Sequence, residues 1–268
     1  MTSIACALTI AGTDPSGGAG IHADLKTFQE LKTYGMSVIT SVVAQNTTGV
    51  QAVHHMSIEM IKAQLDSVLS DMPVHAFKTG MIATVYMMRV IKESIATIKA
   101  PYIMDPVMVA TSGDSLIDED ARTYLREQLL PLASLVTPNI PEAEYITGKR
   151  IETITDMQEA ANEIVHQYGA SAALIKGGHL SGEAIDFLYD GDKMHTFSAK
   201  RIATKNTHGT GCTYSAAITA YLSKGNSLPG AVEKAKLFVT KAIEHSFSIG
   251  SGNGPTNHFA ARMMEVES

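Results

Sequence analysis

The sequence predicts an α/β fold with three layers, in which helices cover both faces of a mainly parallel central sheet. Short apolar runs alternate with amphipathic segments over nearly the whole chain of 268 residues, and this alternation is typical of repeated strand–helix units. α/β folds of this length are often one domain with one core. We therefore expect residues 1–268 to form a single domain, with one small antiparallel hairpin at a sheet edge.

Composition and charge narrow the class of protein. Hydrophobic residues make up 45% and charged residues 18% of the chain, as in ordinary globular proteins. A net charge of −6 and the absence of a long Lys/Arg run argue against nucleic-acid binding. The apolar run at 4–11 is too short to span a bilayer and has no basic flank. With only two cysteines, Cys6 and Cys212, the chain fits a reducing compartment. We expect a cytoplasmic protein that does not bind membranes.

The first strand is predicted at 4–11 and ends in a turn rich in glycine and helix-capping residues at 12–20. A helix should follow to about residue 34. The turn therefore lies at the carboxyl end of a strand, where α/β sheets place their ligands. Asp14 and Asp24 stand beside it. These neighbours favour a ligand loop, although glycines alone would equally suit a simple tight turn.

The remaining elements follow the same alternation. Further strands are predicted at 36–44, 74–78, 102–108 and 172–176, with another beginning at Leu135, and a polar loop at 45–49. Helices are predicted at 59–70, 85–97, 212–223 and 229–247. Residues 185–189 and 193–198 flank Asp190-Gly191-Asp192 and should form the edge hairpin. Several strand ends carry polar or glycine-rich sequence, so we expect their loops to converge on one crevice.

The loop at 206–212 is the strongest candidate for a binding site. It reads Asn206-Thr207-His208-Gly209-Thr210-Gly211-Cys212 and leads directly into a predicted helix. Unpaired amides at a helix N-terminus, aligned with the helix dipole, attract anions such as phosphoryl groups. The same field should lower the pKa of Cys212 and make it a better proton acceptor. The loop is interpreted as the site that holds the transferring phosphate of ATP while a small alcohol attacks it.

Two acids and one lysine suit the same chemistry. Asp105 and Glu142 follow apolar strand runs, and either alone could be a turn or cap residue. Beside a phosphate loop they suit Mg²⁺, which keeps several waters and binds one or two carboxylates together with substrate phosphates. Lys176 ends a buried strand next to two glycines. It either extends to solvent or places a point charge on the ATP phosphates.

Other motifs are absent or weaker. The chain has neither a Gly-Lys-Ser/Thr phosphate loop nor a Gly-x-Gly-x-x-Gly turn after its first strand, which argues against P-loop and nicotinamide-binding proteins. His208 and Cys212 could form a thiol nucleophile with its base, a weaker interpretation beside an anion-binding turn. His54 and His55 lack the partners of a zinc site and are expected in a solvated loop.

Seven stretches together carry a family resemblance: 8–20, 43–47, 78–81, 105–108, 137–143, 176–179 and 206–212. Through them the sequence, over residues 4–260, closely resembles the bacterial hydroxymethylpyrimidine/phosphomethylpyrimidine kinases of thiamine biosynthesis, within the ribokinase-like superfamily. The resemblance implies ATP- and Mg²⁺-dependent phosphorylation of 4-amino-5-hydroxymethyl-2-methylpyrimidine, then of its monophosphate to the diphosphate. It also implies a cytoplasmic homodimer with the three-layer fold.

The resemblance also implies roles for individual residues. The pyrimidine pocket would be lined by Gly12, Gln45, Met81 and Val107, with Asp24 close by. Asp105, Asn139 and Glu142 would lie at the magnesium and phosphate region, Lys176 on the phosphates, and Gly209, Thr210, Gly211 and Cys212 at the anion hole, with Thr210 also on the nucleotide. Sugar kinases of the superfamily carry Asp as the base at the position of Cys212.

Two alternatives stay open. Some pyridoxal kinases, which are close relatives, carry a second cysteine in a lid loop, but residues 110–114 here contain no thiol. The carboxamide of Gln45 offers a donor and an acceptor that complement an aminopyrimidine edge. A site built for that edge should disfavour pyridoxine, because buried polar groups would go unpaired. The other alternative is a binding or regulatory protein that uses a kinase-like crevice without turnover.

Overall fold

A computed structural model describes residues 4–109, 116–178 and 182–266. The strands are β1 (Cys6–Ala11), β2 (Tyr34–Ile39), β3 (Ser41–Asn46), β4 (Gly49–His55), β5 (Ala76–Thr79), β6 (Tyr102–Met104), β7 (Leu135–Val136), β8 (Ala173–Lys176), β9 (Ala184–Tyr189) and β10 (Met194–Ala199). The helices are α1 (Gly20–Glu30), α2 (Ile58–Asp71), α3 (Val85–Ile95), α4 (Glu119–Tyr124), α5 (Ile140–Thr147), α6 (Ile154–His166), α7 (Thr210–Ser223), α8 (Leu228–Glu244) and α9 (Ala260–Val266). The loop at 110–114 and His179, both used in the resemblance, lie outside the described residues.

Eight strands form one sheet in the order β10-β9-β8-β7-β6-β5-β1-β2. Every neighbouring pair from β8 to β2 is parallel. β9 runs antiparallel to β8 and pairs with β10 as a hairpin at the edge. The predicted fold class and the predicted edge hairpin are therefore confirmed.

Helices cover both faces of the sheet, and the strands supply each face with alternate side chains. In β6, Tyr102 and Met104 pack in one cluster with α2, α3 and α6, whereas Ile103 packs on the other face against α7 and α8. β1 is buried along its whole length, as expected of a strand covered on both faces. It lies between β5 and β2, so the strand order reverses beside it. Sheets of this kind bind ligands at that position.

The predicted strand at 36–44 is wrong in one respect, because it is two strands. β2 belongs to the main sheet, but β3 pairs antiparallel with β4 in a separate two-stranded sheet. The chain leaves the main sheet at Thr40, whose N–H donates to the carbonyl of Ala11 at the end of β1. The predicted polar loop at 45–49 instead contains the end of β3 and the start of β4. His54 and His55 are exposed, as expected, but they lie in β4 rather than in a loop.

The end of the first helix also differs from expectation. α1 stops at Glu30, four residues before the predicted end, because Lys32 adopts a left-handed conformation with φ of 52° and β2 begins at Tyr34. Near the C-terminus, α9 runs from Ala260 to Val266. In the part of the chain that the structure describes, no helix is long and apolar enough to cross a bilayer.

Candidate active site

A cavity of about 840 Å³ opens where the parallel strands end, within the usual size range of small-molecule sites. Residues after β1, β5, β6, β7 and β8, together with the N-terminus of α7 and two residues of β3, contribute to its wall. All the residues predicted for the site line this cavity: Gly12, Asp24, Gln45, Met81, Asp105, Val107, Asn139, Glu142, Lys176, Gly209, Thr210, Gly211 and Cys212. The expected convergence of strand-end loops is confirmed, while the roles of the residues stay predictions.

The segment Gly209–Cys212, hereafter the anion loop, presents backbone amides at the start of α7. Gly209 caps the helix in a left-handed conformation with φ of 78° and no side-chain cap. The N–H of Thr210 donates to the carbonyl of Thr207, and that of Thr213 donates to Gly209. Between them, the amides of Gly211 and Cys212 have no hydrogen-bond acceptor among the described residues. Two donors at a helix N-terminus are thus available to an anion.

Glycine is required in the anion loop by close packing. A Cβ atom on Gly209 would lie 1.6 Å from the carbonyl oxygen of Gly18, so the loop rests directly on the glycine-rich turn after β1. A Cβ atom on Gly211 would lie 3.4 Å from Nζ of Lys176 and 3.8 Å from Oδ2 of Asp105. The helix N-terminus therefore faces one cation and one carboxylate across the cavity.

Asp105 and Lys176 form an ion pair on this side of the cavity. Lys176 Nζ lies 3.1 Å from Asp105 Oδ1, and Ser215 donates to Asp105 Oδ2 at 3.1 Å. Burial alone would raise the pKa of Asp105, but the charges of Lys176 and Lys78 outweigh it and hold that pKa below its usual value. Asp105 is thus a buried carboxylate that keeps its charge.

Asn139 and Glu142 begin α5 with a reciprocal capping box. Asn139 Oδ1 accepts from the N–H of Glu142, and Glu142 Oε2 accepts from the N–H of Asn139, both at 2.9 Å. The cap interpretation of Glu142 is confirmed, although the residue also lines the cavity. Burial raises the pKa of Glu142 to about 7, with the negative charge of Asp105 acting in the same direction and Lys176 against it. Glu142 therefore changes its charge near neutral pH.

The carboxylates of Asp105 and Glu142 suit Mg²⁺ better than a metal whose ligands all come from the protein. No group of three or more His, Cys, Asp or Glu side chains that could hold a metal occurs within residues 4–109, 116–178 and 182–266. Asp105 and Glu142 are two buried carboxylates on one cavity wall. Mg²⁺ is usually bound by one or two carboxylates, with water and substrate phosphates completing its shell.

Cys212 departs from the prediction made for it. Burial raises the pKa of its thiol to about 12, the charge of Lys78 lowers it, and Asp24 and Asp105 raise it further. The predicted lowering by the helix N-terminus is wrong, because desolvation of a buried thiolate is the larger effect. The suggested thiol nucleophile with His208 loses support as well, since His208 Nε2 lies 2.7 Å from Asp14 Oδ2 and a thiol of this pKa is protonated at neutral pH.

Another part of the cavity wall brings together residues that follow β1 and β5 and one residue of β3. A Cβ atom on Gly12 would lie 2.5 Å from Cε of Met81, so that methionine lies directly over the glycine. Gln45 Nε2 lies 3.3 Å from His208 Nε2, which places its carboxamide next to the Asp14–His208 pair. Val107 lines the same cavity. Gly12 and Met81 are thus in contact at the start of the glycine-rich turn, and Gln45 lies next to His208, the residue preceding the anion loop.

Sequence reasoning missed a buried ion pair beneath this region. Lys78 is completely buried, with Nζ 2.6 Å from Asp24 Oδ1, and Thr9 donates to Asp24 Oδ2 at 2.6 Å. Both carboxylate oxygens of Asp24 thus already have donors, so the structure gives this residue a supporting position. A lysine within the apolar run of β5 was the available signal, since an unpaired lysine is almost never fully buried.

The protein has a three-layer fold, and the amides of its anion loop and Lys176 form an anion-binding site at the ends of the parallel strands. Together these features define a kinase of the ribokinase-like class. The sequence model of the phosphomethylpyrimidine kinase family matches residues 14–257. The chain is 50% identical to a hydroxymethylpyrimidine/phosphomethylpyrimidine kinase of Staphylococcus aureus over 257 residues, which cover 95% of this chain and 93% of the relative. The protein belongs to the phosphomethylpyrimidine kinase family.

Solved structures agree with this assignment. The pyridoxal kinase of Bacillus subtilis, solved as an ADP complex, has a TM-score of 0.91 at 42% identity, covering 97% of this chain and 100% of its own. The phosphomethylpyrimidine kinase of Clostridium difficile has a TM-score of 0.80 at 43% identity, covering 90% of this chain and 100% of its own. These similarities confirm the ribokinase-like fold and the kinase class.

Proposed function

We propose that this kinase transfers the terminal phosphoryl group of ATP to 4-amino-5-hydroxymethyl-2-methylpyrimidine, and then phosphorylates the monophosphate to the diphosphate, in thiamine biosynthesis. The observation that carries the proposal is the convergence of the anion loop, Lys176 and two buried carboxylates on one cavity. The family match and the 50% identity to a relative of that name support the substrate class.

The pyrimidine is assigned to the part of the cavity lined by Gly12, Met81 and Gln45. Gly12 and Met81 offer an apolar surface, and Val107 lines the same cavity. Gln45 presents a carboxamide to the donor–acceptor edge of the aminopyrimidine. Asp24 supports this end through its bond to Lys78 and is close to the substrate rather than free to bind it.

The phosphates are assigned to the end that carries the anion loop. Asn139, Lys176 and Thr210 would contact the nucleotide, and Asp105 and Glu142 would hold Mg²⁺ through water. When bound, Mg²⁺ supplies positive charge that neutralises the transferring group. The amides of Gly211 and Cys212 and the ammonium of Lys176 stabilise the same negative charge from fixed positions, which is the main contribution a protein makes to phosphoryl transfer.

Cys212 is proposed as the base of the first step alone. The hydroxymethyl group must lose a proton as it attacks, whereas the monophosphate that attacks in the second step is already ionised at neutral pH. The thiol must itself first lose its proton, which its high pKa opposes. The first step should therefore depend on pH in a way that the second does not.

A second candidate function is phosphorylation of pyridoxine or pyridoxal in vitamin B6 salvage. Structural neighbours named pyridoxal kinases from Bacillus subtilis and Staphylococcus aureus favour it, with TM-scores of 0.91 and 0.90. The absence of a cysteine at 110–114 and the carboxamide of Gln45 favour the pyrimidine instead. Vitamin-precursor binding without turnover is a third possibility, which ADP release distinguishes.

Four further proposals concern the protein as a whole. We propose a single domain over residues 1–268, a homodimer, residence in the cytoplasm, and no binding of nucleic acid or membranes. One continuous eight-stranded sheet supports the single domain, and the family resemblance supports the dimer. The net charge of −6 and the two free cysteines support the remaining proposals.

One coupled assay tests the proposal. ADP release should be measured with MgATP and, in turn, the pyrimidine alcohol, its monophosphate, pyridoxine and pyridoxal. We expect two ADP per pyrimidine alcohol, one per monophosphate, and much lower kcat/KM for the two pyridines. A higher kcat/KM for a pyridine would favour vitamin B6 salvage. If no compound caused ADP release, the remaining alternative would be a binding protein without turnover.

A further inference from the structure

A buried ion pair joins the edge hairpin to α8 next to Lys176, at the wall of the same cavity. Asp186 in β9 is 2% exposed, and Lys236 Nζ in α8 lies 2.6 Å from its Oδ2. Desolvating two charges costs much of what their attraction gains, so such a pair is weak evidence of added stability. The hydrogen-bond partner of the second carboxylate oxygen, Oδ1, is therefore more informative than the ion pair.

The second oxygen holds the backbone where the chain leaves the sheet. Asp186 Oδ1 accepts from the N–H of Gly177 at 3.0 Å. Lys176 is the preceding residue, and its N–H donates to the carbonyl of Pro138 at 2.9 Å. In the sheet register, Lys176 stands opposite Asp186. Asp186 thus supplies a side-chain acceptor at the first residue beyond β8.

The turn that follows β8 fits tightly against β9. A Cβ atom on Gly177 would lie 1.9 Å from the carbonyl oxygen of Ile185, so only glycine allows the two backbones to approach this closely. The end of β8 is therefore fixed by a hydrogen bond and by backbone contact with the residue that precedes Asp186.

The position of the Lys176 ammonium depends on this end of β8. Its Nζ lies 3.1 Å from Asp105 Oδ1 and 3.4 Å from an ideal Cβ on Gly211, beside the anion loop. Only 14% of the Lys176 side chain is exposed, so a displaced backbone cannot easily be offset by a different rotamer. In phosphoryl transfer, a misplacement of about 1 Å can cost on the order of 100-fold in rate.

We propose that Asp186, with its carboxylate held by Lys236, is a positioning residue for phosphoryl transfer, because it fixes the turn at Gly177 and thereby holds Lys176 beside the anion loop. The inference rests on the phosphate-binding role proposed for Lys176. It assigns to the edge hairpin a part in catalysis through the backbone rather than through contact with substrate.

The test compares kcat for both phosphorylation steps at saturating ATP. Asp186→Ala removes the acceptor of Gly177, and we expect kcat to fall by roughly 10- to 100-fold in both steps, with KM for the pyrimidine alcohol within about twofold of wild type. The double variant Asp186→Asn with Lys236→Met keeps an acceptor oxygen without either charge. It should recover kcat to within about fivefold of wild type. If the ion pair itself were required, kcat would stay low in this variant.

Glu163→Gln is the matched control, because Glu163 forms an ion pair with Lys149 away from the cavity. It should change thermal stability without lowering kcat. A rise in KM for ATP at unchanged kcat in Asp186→Ala would show a nucleotide contact and overturn the proposal. Failure of the double variant to recover, or an equal loss in the control, would overturn it too.

Lys176→Ala separates this inference from the proposed function. If Lys176→Ala keeps full kcat, the phosphate-binding role fails and the inference fails with it. If Lys176→Ala is inactive and Asp186→Ala is not, the phosphate role stands and only the positioning role of Asp186 is refuted.

Discussion

At the scale of single residues, two opposing effects act on the thiol of Cys212. The helix N-terminus and Lys78 favour the thiolate, whereas burial and the carboxylates of Asp24 and Asp105 favour the protonated form. Burial is the largest of these effects and sets a pKa of about 12. At neutral pH the residue is therefore a thiol, and a base role must draw on a small thiolate fraction.

Substitution of Cys212 separates the two phosphorylation steps. Cys212→Ala should slow the first step by ~10²–10⁴-fold, the range typical of a general base, and the second far less. Because the thiolate fraction rises tenfold per pH unit below the pKa, the first step of the wild type should accelerate with pH between 7 and 9. Single-turnover rates with the alcohol and with the monophosphate measure both effects.

Cys6→Ala provides the control, since it removes the other free thiol from buried strand β1. It should leave both steps and their pH profiles unchanged. Equal losses in both steps for Cys212→Ala, or a first step that does not respond to pH, would refute the base role and leave Cys212 as a loop residue.

Gln45 carries the second prediction at this scale. Gln45→Glu keeps the shape of the side chain but removes its donor, so the preference for the pyrimidine alcohol over pyridoxine should fall by roughly tenfold or more. The ratio of kcat/KM for the two alcohols measures it. An unchanged ratio would remove Gln45 from substrate recognition.

The location of the site residues could be predicted, but their electrostatics could not. Asp105, Lys176 and Cys212 were visible because each follows or precedes a recognisable element. The pKa of Cys212 was missed because burial depends on what packs around the loop, which a local pattern does not contain. Lys78 was passed over for the same reason, since its partner Asp24 lies 54 positions away.

At the scale of elements, the contact between two glycine loops shapes the anion site. Gly209→Ala would place a Cβ atom 1.6 Å from the backbone of Gly18 and must push the loops apart. Loss of the aligned amides should lower kcat by roughly 10²–10³-fold, the usual effect of removing an oxyanion donor. Steady-state kinetics of both steps would measure this loss.

Gly225→Ala is the matched control for backbone strain. Gly225 has φ of 79°, close to the 78° of Gly209, but a Cβ atom there would meet nothing within 4 Å. It should cost ~1–2 kcal/mol of stability through left-handed strain alone and leave kcat unchanged. A Gly209→Ala variant with normal kcat would show that the loop contact does not position the amides.

Element types followed from the sequence more reliably than element partners. The strands of the main sheet were visible as apolar runs that alternate with amphipathic helical segments. β3 was predicted as a continuation of β2, because a strand that leaves the main sheet at Thr40 keeps the same local pattern. Its partner β4 was not predicted as a strand.

At the scale of the whole molecule, Glu142 links the site to folding stability. Its pKa is raised from 4.5 to about 7 by burial, so the folded state holds a proton that the unfolded state releases. The free energy of unfolding should therefore fall as pH rises from about 4.5 to 7, by up to ~1.4 kcal/mol per pH unit, from this residue alone.

Glu142→Gln removes that titration while keeping an oxygen to accept from Asn139. The variant should match the wild type near pH 4 and be more stable above pH 7 when Mg²⁺ is absent. Denaturant unfolding at both pH values measures the difference. A constant difference between the two proteins across this range would mean that Glu142 is not protonated in the folded state.

The family and the three-layer architecture were predictable because alternation and motif order extend over the whole chain. The position of the cavity was predictable because several strand ends carry polar or glycine-rich sequence, and the strand order, which reverses beside β1, agrees with it. Choosing between a pyrimidine and a pyridine depends on a few contacts within one cavity that related kinases share, so architecture does not decide it.

The central claim is that the transferring phosphoryl group lies at the N-terminus of α7. A crystal structure with Mg²⁺, a non-hydrolysable ATP analogue and the pyrimidine alcohol tests it most directly. We expect the terminal phosphate within hydrogen-bond distance of the amides of Gly211 and Cys212 and of Lys176 Nζ, with the hydroxymethyl oxygen in line for attack. A terminal phosphate bound elsewhere, with the anion loop turned away from it, would contradict the account.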